Sequence, residues 1–415
     1  MADAPQKVLF VGHGAERTGP PIGLLHLLRW VHANTDLEFE VLLLEGGVLV
    51  DDYRELGPVW VLDEAARPPR LAVLGQVVAG WGLGGLGDWL KVRGYRRRLR
   101  HLRGVGVVYV NSAWCIRALR YLRAPGATVI SAVHEMEVGL DYHLDDLHRR
   151  LLVERSDRFL VVSGAVRINL IERHGVDPSR ISLHHEMIAI EQDPPDRRAA
   201  GDGPQVVGAS GLLRWRKGPD LFLAVAAIVR RRRPDLDVRW VWVGGRADAG
   251  DLPGIEEDRD AAGLGDVVEF EGETDRPLER FAGLDVFVLT SREDAYPLVC
   301  LEAASVGVPI VTFDNGGMPE LVSGSVDTVV DPRVAPPDVP GEPCGHVVPY
   351  PDLDAMADRI VELLEDPERA AALGTCGAAR VRRLHAVEVA APRLVADLAP
   401  WLDRGGVLTQ GETRP

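Results

Sequence analysis

Residues 290–317, "TSREDAYPLVCLEAASVGVPIVTFDNGG", decide the fold prediction, because they indicate the end of one strand, a helix and a second strand. The apolar run "DVFVLTS" predicts a strand that ends at Ser291. The helix is predicted to begin near Pro297, since proline suits a first helical turn whose N–H would be unpaired in any case. A packing element needs neither this proline nor the acidic residues beside it, so the stretch also indicates a site at the helix start.

The same alternation of strands and helices extends over both halves of the chain. The apolar strands lack strict alternation and are joined by helical patterns, which indicates parallel sheets covered on both faces. The proline-, glycine- and charge-rich residues 191–204 separate two similar α/β halves, and ligands of such sheets bind at their carboxyl edges, which we expect to face a common cleft. The predicted parts are an N-terminal domain over 1–195, a C-terminal domain over 196–385, a last helix over 386–402 and a disordered tail over 403–415.

Composition limits the classes of function. The chain has 415 residues, 46% of them apolar and 26% charged, with a net charge of −15, which argues against a broad nucleic-acid surface. Its four cysteines are scattered and form no zinc pattern. The N-terminal residues lead almost directly into a strand, without a basic segment and an apolar signal core. A cytoplasmic protein is therefore predicted.

One region qualifies that prediction. Residues 71–87, "LAVLGQVVAGWGLGGLG", carry no charge, and residues 91–103, "KVRGYRRRLRHLR", are strongly basic. The uncharged stretch is shorter than the roughly 20 residues of a bilayer span and is rich in glycine. A buried or interfacial helix pair followed by a solvated arginine-rich helix is the preferred interpretation. Peripheral contact of residues 71–103 with an anionic membrane surface is the alternative.

The helix start in the opening stretch has the features of a phosphate site. The N–H groups of Leu298 and Val299 are unpaired by the helix, and its positive dipole end favours an anion. Glu302 lies one turn further on the same face and suits ribose hydroxyls, while Asp294 could reach the hydroxyls of a sugar. These features favour a sugar nucleotide. The simpler interpretation is a solvated acidic turn before a core helix.

A second segment strengthens the phosphate interpretation. Residues 208–229 place Arg214, Arg216 and Lys217 beside glycines at a strand-to-helix turn. The chain has only three lysines against 44 arginines, so a lysine here suggests a compact charge for phosphate. A solvated loop lysine is the alternative.

These segments resemble the family 4 (GT4) glycosyltransferases, which have the GT-B fold. "SREDAYPLVCLEAASVGVPIVTFDNGGMPELV" is similar to the family's E-x7-E segment, and "GLLRWRKGPDLFL" is similar to its cation-bearing loop. Further similar segments are its first glycine-rich loop, "LFVGHGAERTGPPIGLLHLLRW", its histidine segment, "SAVHEMEVG", and the end of its N-terminal domain, "FLVVSGAVRINLIERHGVDPSRISLHHEMI". The resemblance implies two Rossmann-like domains facing across a cleft, with C-terminal helices returning to the first domain.

The resemblance also implies retention of anomeric configuration, no divalent metal and no cofactor other than a nucleoside-diphosphate sugar as co-substrate. Two positions depart from the family pattern, because the first acidic position is Asp294 and an arginine position is Leu212. The candidate catalytic residues are His134, Asp294, Arg216 and Lys217. The candidate donor-binding residues are Gly19, Gly211, Arg214, Leu298, Val299, Glu302, Gly316 and Gly317.

Further expectations concern neighbouring residues. The nucleotide base is expected near Gly244 or Glu273, as the resemblance implies. The Asp-x-Asp patterns at 235–237 and 352–354 are interpreted as turn and cap residues, so no metal site is predicted. His184 and His185 are expected to be structural.

Several other functions stay open. The acceptor is not fixed and could be a glycan, a lipid or a small molecule. Within enzymes, a sugar-nucleotide epimerase or a phosphorylase is the second interpretation. From a different class comes a non-catalytic nucleotide-sugar-binding subunit, which the departures at Leu212 and Asp294 favour. A dehydrogenase is disfavoured, because the glycine spacing in "GHGAERTG" fails at Arg17.

Overall fold

The computed structural model describes residues 7–63, 67–102, 104–198, 201, 203–245, 252–323 and 343–402. The chain divides into two compact units. The first comprises Met1–Val162, Arg167–His184 and Ala391–Pro415, and the second comprises Ser163–Val166 and His185–Ala390. Residues 185–195, which the sequence analysis gave to the first domain, are therefore grouped with the second unit. The tail predicted over 403–415 lies outside the described residues.

The first unit contains a seven-stranded parallel sheet in the order β3-β2-β1-β4-β5-β6-β7. Its strands are β1 Lys7–Gly12, β2 Phe39–Leu43, β3 Val59–Val61, β4 Val105–Asn111, β5 Thr128–Val133, β6 Arg158–Val161 and β7 Ile181–Leu183. The associated α-helices are α1 Gly19–Asn34, α2 Val50–Leu56, α3 Arg70–Gly80, α4 Gly84–Arg98, α5 Glu137–His143, α6 Asp146–Arg155 and α7 Gly164–His174. Two 3₁₀ helices span Ala113–Arg120 and Pro178–Arg180.

The second unit contains a six-stranded parallel sheet in the order β10-β9-β8-β11-β12-β13. Its strands are β8 Gln205–Ser210, β9 Val238–Val243, β10 Val268–Gly272, β11 Val286–Leu289, β12 Ile310–Phe313 and β13 Gly345–Val348. The helices that follow are α8 Pro219–Arg232, α9 Leu252–Ala261, α10 Pro277–Ala282, α11 Leu298–Ser305, α12 Met318–Ser323, α13 Leu353–Glu365, α14 Pro367–Leu384 and α15 Val387–Leu402, and a 3₁₀ turn spans Trp215–Lys217. Helix α15 ends within the residues of the first unit.

Apolar strands explain why both sheets form inside their units. The strand residues of β1, β4 and β11 are almost all buried, as expected when helices cover both faces of a parallel sheet. In the second unit, Phe222 of α8 packs edge-to-face against Trp240 and Trp242 of β9, with ring centroids 5.4 Å apart in both pairs. Each sheet therefore has its own apolar core, and the predicted fold class of two parallel-sheet Rossmann-like domains is confirmed.

The boundaries of several elements differ from the predictions. Short strands β3, β7 and β13 were not predicted as strands; each is three or four residues long and lies at a sheet edge. Strand β11 ends at Leu289 and not at Ser291, and the next residue, Thr290, donates its hydroxyl to the carbonyl oxygen of Gly218 at 2.9 Å. Helix α11 begins at Leu298, so Pro297 is the N-cap with extended backbone.

Two consecutive helices, α13 and α14, cover most of residues 352–384. Asp366 lies between α13 and α14, and its carboxylate accepts a hydrogen bond from the N–H of Arg369. Asp352 accepts from the N–H of Ala355 in the same way and caps α13, so the interpretation of 352–354 as cap residues is confirmed.

Candidate functional site

The site residues of the second unit lie at the point where the strand order of its sheet reverses. The chain passes from β8 outward to β9 and β10, and then returns to the other side of β8 as β11. The loops that leave the carboxyl ends of β8 and β11 consequently diverge and leave a crevice between them. In open α/β sheets, ligands bind in such crevices. One loop carries residues 211–218, and the other carries residues 290–297.

Glycines let the loop after β8 follow its close path. Gly211 and Gly218 both have positive φ, at 149° and 69°, which favours glycine. A side-chain carbon on Gly218 would collide with the carbonyl oxygen of Thr290. The carbonyl oxygen of Gly211 accepts a hydrogen bond from the indole N–H of Trp242 at 2.9 Å. The loop is thereby fixed at both ends, and the 3₁₀ turn Trp215–Lys217 stands between them.

Lys217, Arg216 and Asp294 form one cluster across the two loops. The ammonium nitrogen of Lys217 is 2.6 Å from Asp294 Oδ2, and a guanidinium nitrogen of Arg216 is 3.7 Å from Asp294 Oδ1. Ser291 also donates its hydroxyl to Asp294 Oδ2 at 3.1 Å. The two cations outnumber the carboxylate, so the cluster keeps one net positive charge, which is available to an anion.

The electrostatics of Asp294 follow from this arrangement. Its side chain is buried, which alone would raise the pKa of the carboxyl. The charges of Lys217 and Arg216, together with the hydrogen bonds from Lys217 and Ser291, outweigh burial and hold the pKa of Asp294 below its ordinary value. Asp294 is therefore an ionised, buried counterion, a role that the sequence did not reveal.

The start of α11 lies beside this cluster. The loop that carries Asp294 leads directly into this helix, and the ammonium nitrogen of Lys217 lies 2.6 Å from the Asp294 carboxylate. The amides of Leu298 and Val299 begin the helix. The geometry thus brings Lys217 and the α11 N-terminus to the same end of the sheet.

Glu302 has an unusual environment for a carboxylate. Its side chain is half-buried, and burial raises its pKa to about 7. Among the residues that the structure describes, no cation offsets this desolvation, in contrast to Asp294. Near neutral pH, Glu302 therefore exchanges between a protonated form that can donate a hydrogen bond and an ionised form that accepts.

The loop after β12 packs against the loop after β11, on the side away from β8. Gly316 has a φ of 58°, and a side-chain carbon there would collide with the carbonyl group of Asp294. A side-chain carbon on Gly317 would collide with Ala295 and Tyr296. Both glycines are thus required for packing against residues 294–296, whatever contact they make with a ligand.

Arg214 and Leu212 are both exposed in the cation-bearing loop, as is Trp215. Arg214 begins the 3₁₀ turn through its backbone, and its side chain is exposed. Leu212 is also exposed, at the position where the family pattern has arginine. Arg216 differs from Arg214 because its guanidinium donates to the carbonyl oxygen of Glu293 at 2.8 Å, beside Asp294. Of the two arginines, Arg216 is the one that contacts the loop after β11.

Two further residues, Arg292 and Asn315, shape the site and were missed from the sequence. Arg292 binds both carboxylate oxygens of Asp220, at 2.8 and 2.5 Å, and lies 4.8 Å from the ring centroid of Trp215. It also donates to the carbonyl oxygen of Trp215. Asn315 donates to the carbonyl oxygens of Ser291 and Arg292. A lone arginine or asparagine next to a predicted turn gives no signal of such long-range contacts.

The first unit has a comparable crevice, described by itself, between β1 and β4, where its own strand order reverses. Asn111, at the end of β4, donates from Nδ2 to the carbonyl oxygen of Pro20 at 2.9 Å. Its Oδ1 lies 3.3 Å from Nε2 of His134. Asn111 thereby brings His134 together with the start of α1, where Gly19 is the first residue.

Glu135 holds the backbone around His134. Its carboxylate accepts from the N–H groups of His134 and Ala113, at 2.9 and 3.2 Å, and from the hydroxyl of Ser112. Ser112 has a φ of 100°, an uncommon value for a residue with a side chain. Nearby, burial lowers the pKa of His13 to about 4, although the charge of Glu135 opposes that effect. His13 is therefore neutral at physiological pH.

The remaining histidine predictions concern structural roles. His184 lies 3.1 Å from a carboxylate oxygen of Asp397. His185 lies 2.7 Å from a carboxylate oxygen of Glu320 and stacks on Tyr296 with ring centroids 4.7 Å apart.

Gly244, one of the two residues expected near the nucleotide base, follows β9 with a positive φ, close to Gly211. Within the described parts of the chain, no three His, Cys, Asp or Glu side chains are grouped as metal ligands.

Two α/β domains, each built on a parallel sheet, are the architecture of GT-B proteins, and known structures share this fold. HepE from Anabaena, solved with UDP and glucose, matches with a TM-score of 0.70 at 17% identity, covering 95% of this chain and 99% of that one. Sucrose-phosphate synthase from Thermosynechococcus elongatus matches with a TM-score of 0.69 at 19% identity, covering 95% and 98%.

Two family models match the sequence: "Glycosyltransferase Family 4" over residues 59–192 and "Glycosyl transferases group 1" over residues 204–366. Together they account for well over half of the chain, which therefore belongs to the family 4, group 1 glycosyltransferases. The family resemblance found in the sequence is confirmed.

Curated relatives are similar over part of their length. The lipopolysaccharide core biosynthesis mannosyltransferase LpsB of Rhizobium meliloti is 30% identical over 262 residues, 60% of this chain and 66% of the relative. A GDP-mannose-dependent alpha-(1-6)-phosphatidylinositol monomannoside mannosyltransferase of Mycolicibacterium smegmatis is 30% identical over 61% of this chain and 65% of the relative. The matches thus span less than two thirds of these relatives.

Proposed function

We propose that the protein is a retaining, metal-independent glycosyltransferase that moves a sugar from a nucleoside diphosphate to a hydroxyl group of an acceptor. The observation that carries the proposal is the Lys217–Asp294–Arg216 cluster at the strand-order reversal of the second unit, beside the start of α11. Family membership and relatives named as glycosyltransferases support the enzyme over other interpretations.

The proposed reaction requires that the departing nucleoside diphosphate be stabilised. The bond between the anomeric carbon and a phosphate oxygen breaks, and the bonding electrons stay on the departing diphosphate. The acceptor oxygen bonds to the same carbon, and its proton passes to the leaving phosphate oxygen. Because negative charge grows on the diphosphate, groups that stabilise it should dominate the rate. Lys217, Arg216 and the amides of Leu298 and Val299 supply that stabilisation in this proposal.

Asp294 acts in this proposal mainly through Lys217. The residue is only 7% exposed and its carboxylate lies at 2.6 Å from the ammonium nitrogen, so it fixes the direction of the lysine side chain. A lysine has four rotatable bonds, and holding it in one conformation before the donor binds reduces the entropy lost on binding. A direct contact of Asp294 with the sugar remains part of the hypothesis drawn from the family pattern.

Glu302 binds the ribose hydroxyls of the donor in this proposal. A carboxylate that burial holds near its titration point forms strong hydrogen bonds once hydroxyl donors replace the missing solvation. Gly316 and Gly317 keep the neighbouring loop close enough for backbone contact with the sugar. The role of His134, contact with the transferred sugar, rests on the family resemblance.

The partners proposed are a nucleotide sugar and a hydroxyl-bearing acceptor, in the cytoplasm. Solved neighbours hold UDP and glucose, and the relatives are named for lipopolysaccharide core and phosphatidylinositol mannoside acceptors. These relatives support sugar-bearing acceptors as the first class to test. The non-catalytic nucleotide-sugar-binding subunit is the second candidate, because Leu212 replaces a family arginine.

The test combines binding with turnover. Calorimetric titration with UDP, GDP, ADP, CDP and dTDP identifies the base, and hydrolysis of the corresponding sugar donors measures catalysis. We expect Lys217→Ala and Glu302→Ala each to lower turnover at least 100-fold, the low end for removed transition-state stabilisers. Arg231→Ala is the matched control, because Arg231 is an exposed arginine of the same unit.

The outcomes separate the two candidates. Tight binding of one nucleoside diphosphate without turnover of any donor would support the binding subunit. Near-normal turnover in both Lys217→Ala and Glu302→Ala would contradict the assigned site.

A further inference from the structure

Helices α3 and α4 form a hairpin whose outer surface is unusually apolar. Among the described residues, seven of the fifteen exposed large apolar side chains lie within residues 73–89. Scattered exposed apolar residues are ordinary on a protein surface, but a contiguous group marks an interaction site. The seven are Val73, Leu74, Val77, Trp81, Leu83, Leu86 and Trp89.

The hairpin is a built element and not a loose loop. Gly75 and Gly87 face each other so closely that a side-chain carbon on either would collide with the backbone of the other helix. Gly94 lies similarly close to Ala72, with 3.2 Å between the site of an added side-chain carbon and the Ala72 nitrogen. The small residues and Ala72, Val78 and Tyr95 are turned inward, and the large apolar residues are turned outward. The folded hairpin therefore presents the apolar surface.

Its apolar and basic residues are separated along the hairpin. The tip, residues 80–86, is exposed throughout and uncharged. Toward the base of α4, Arg93 and Arg97 are exposed, and Arg100 follows directly after the helix. Residues 91–100 carry six cationic side chains and no acidic one, in a chain whose net charge is −15. This local cluster opposes the charge of the whole protein.

The distance along α4 relates the two zones, which are the apolar tip and the basic residues 91–100. Trp89 and Arg93 are one turn apart, and the guanidinium carbon lies 5.3 Å from the tryptophan ring centroid. At about 1.5 Å per residue, Arg93 and Arg97 lie roughly 6 and 12 Å along the helix from Trp89. The headgroup layer on each side of a bilayer is on the order of 5–8 Å thick. With Trp89 at the acyl boundary, Arg93 therefore lies at the depth of the lipid phosphates, and Arg97 lies just outside the headgroup layer, within electrostatic range of the same phosphates.

We propose that the α3–α4 hairpin docks the protein on an anionic lipid bilayer, with its apolar tip in the interfacial region and its arginines on lipid phosphates. Tryptophans favour this interface because their rings are apolar and their N–H groups are polar. A phosphate backbone of nucleic acid would leave the seven apolar side chains without a partner. Among the described residues no helix is both long and apolar enough to span a membrane, so the contact proposed is peripheral.

The experiment uses the full chain and needs no sugar donor, so it stands or fails independently of the proposed activity. Flotation with vesicles of 70% phosphatidylcholine and 30% phosphatidylglycerol is compared with flotation on pure phosphatidylcholine, at low and high salt. We expect at least tenfold stronger partitioning onto the anionic vesicles, and a strong reduction in high salt, since each basic side chain near such a surface contributes about fivefold.

Two variants probe the two zones. The apolar variant Trp81→Ser/Leu83→Ser/Leu86→Ser and the charge variant Arg93→Gln/Arg97→Gln/Arg100→Gln should each reduce partitioning at least tenfold. Their matched controls are Val48→Ser/Leu147→Ser and Arg382→Gln/Arg383→Gln, which alter exposed residues elsewhere and should bind as the unmodified chain does. Circular dichroism should show unchanged folding, because all substituted side chains are exposed.

Equal binding to neutral and anionic vesicles, or unchanged binding in both hairpin variants, would overturn the proposal. Light scattering after size-exclusion chromatography tests the alternative that a second copy of the chain binds this surface. A dimer that the apolar variant dissociates, together with no vesicle binding, would assign the hairpin to a second copy of the chain and would also overturn it.

Discussion

The two strand-order reversals share a topology and differ in chemistry. In the second unit, the crevice between β8 and β11 holds Lys217 and Arg216 around a buried, ionised Asp294. In the first unit, the residues at the β1–β4 crevice include His134, bonded to an amide, and the neutral His13. The fold therefore determines where each site lies, while the few residues that follow the strands decide whether that place suits an anion or a hydrogen-bonding group.

The variant with the largest expected effect tests whether Lys217 binds the nucleoside diphosphate or only neutralises Asp294. Lys217→Met leaves a buried carboxylate with the more distant Arg216, and we expect a loss of about 3–5 kcal/mol in the free energy of unfolding. The double variant Lys217→Met/Asp294→Asn should recover most of that stability without recovering nucleoside diphosphate affinity. Urea denaturation and calorimetric titration give the two readouts. Recovered affinity in the double variant would reduce Lys217 to a counterion.

The second test uses the raised pKa of Glu302. Because the folded-state pKa is about 7 against an ordinary 4.5, the protonated carboxyl favours the folded state. The resulting stability is complete below pH 4.5 and is lost as the pH rises through 7. Glu302→Gln should therefore exceed the unmodified chain by up to about 3 kcal/mol at pH 8, with little difference at pH 4.5. A pH-independent difference would contradict this environment for Glu302.

The third test concerns His13 of the first unit, for which the expected change of stability with pH is opposite to that of Glu302. The pKa of His13 falls from 6.5 to about 4, so the folded state favours neutral imidazole. This stability is complete above pH 6.5 and is lost as the pH falls through 4. His13→Gln should be the more stable chain at pH 4 by about 3 kcal/mol relative to its difference at pH 8, because the folded-state pKa lies about 2.5 units below the unfolded one. Titration of the His13 ring by NMR checks the pKa directly, and a value near 6.5 would contradict it.

The smallest effect concerns the order of the cation-bearing loop. Arg292 joins Asp220 to Trp215, and Arg292→Gln should loosen the turn that carries Lys217 without removing a ligand contact. We expect a loss of about twofold to tenfold in nucleoside diphosphate affinity, in the range of one hydrogen-bonded pair. Calorimetry at two salt concentrations measures it. A loss as large as that of Lys217→Ala would mean that Arg292 itself binds the phosphate.

Local patterns predicted much of this arrangement. Apolar runs and glycine-rich turns gave two parallel sheets, and the sequence placed Lys217, Asp294 and Glu302 near one sheet edge. The ion pair between Lys217 and Asp294 could not be predicted, because its partners are 77 residues apart. They meet only because β8 and β11 are neighbours in the sheet. Arg292 and Asn315 were missed for the same reason. The burial of Glu302 was missed because residue type alone does not indicate desolvation.

The hydrogen bond from Asn111 to Pro20 also determines which ring nitrogen of His134, the other partner of the Asn111 amide, carries a hydrogen. A carbonyl oxygen only accepts, so the Asn111 amide must turn its nitrogen toward Pro20 and its oxygen toward His134. That oxygen in turn requires a hydrogen on Nε2 of His134. The neutral ring is thereby the Nε2–H tautomer, with its lone pair on Nδ1. The first turn of α1 thus selects which ring nitrogen of a histidine more than a hundred residues later is basic.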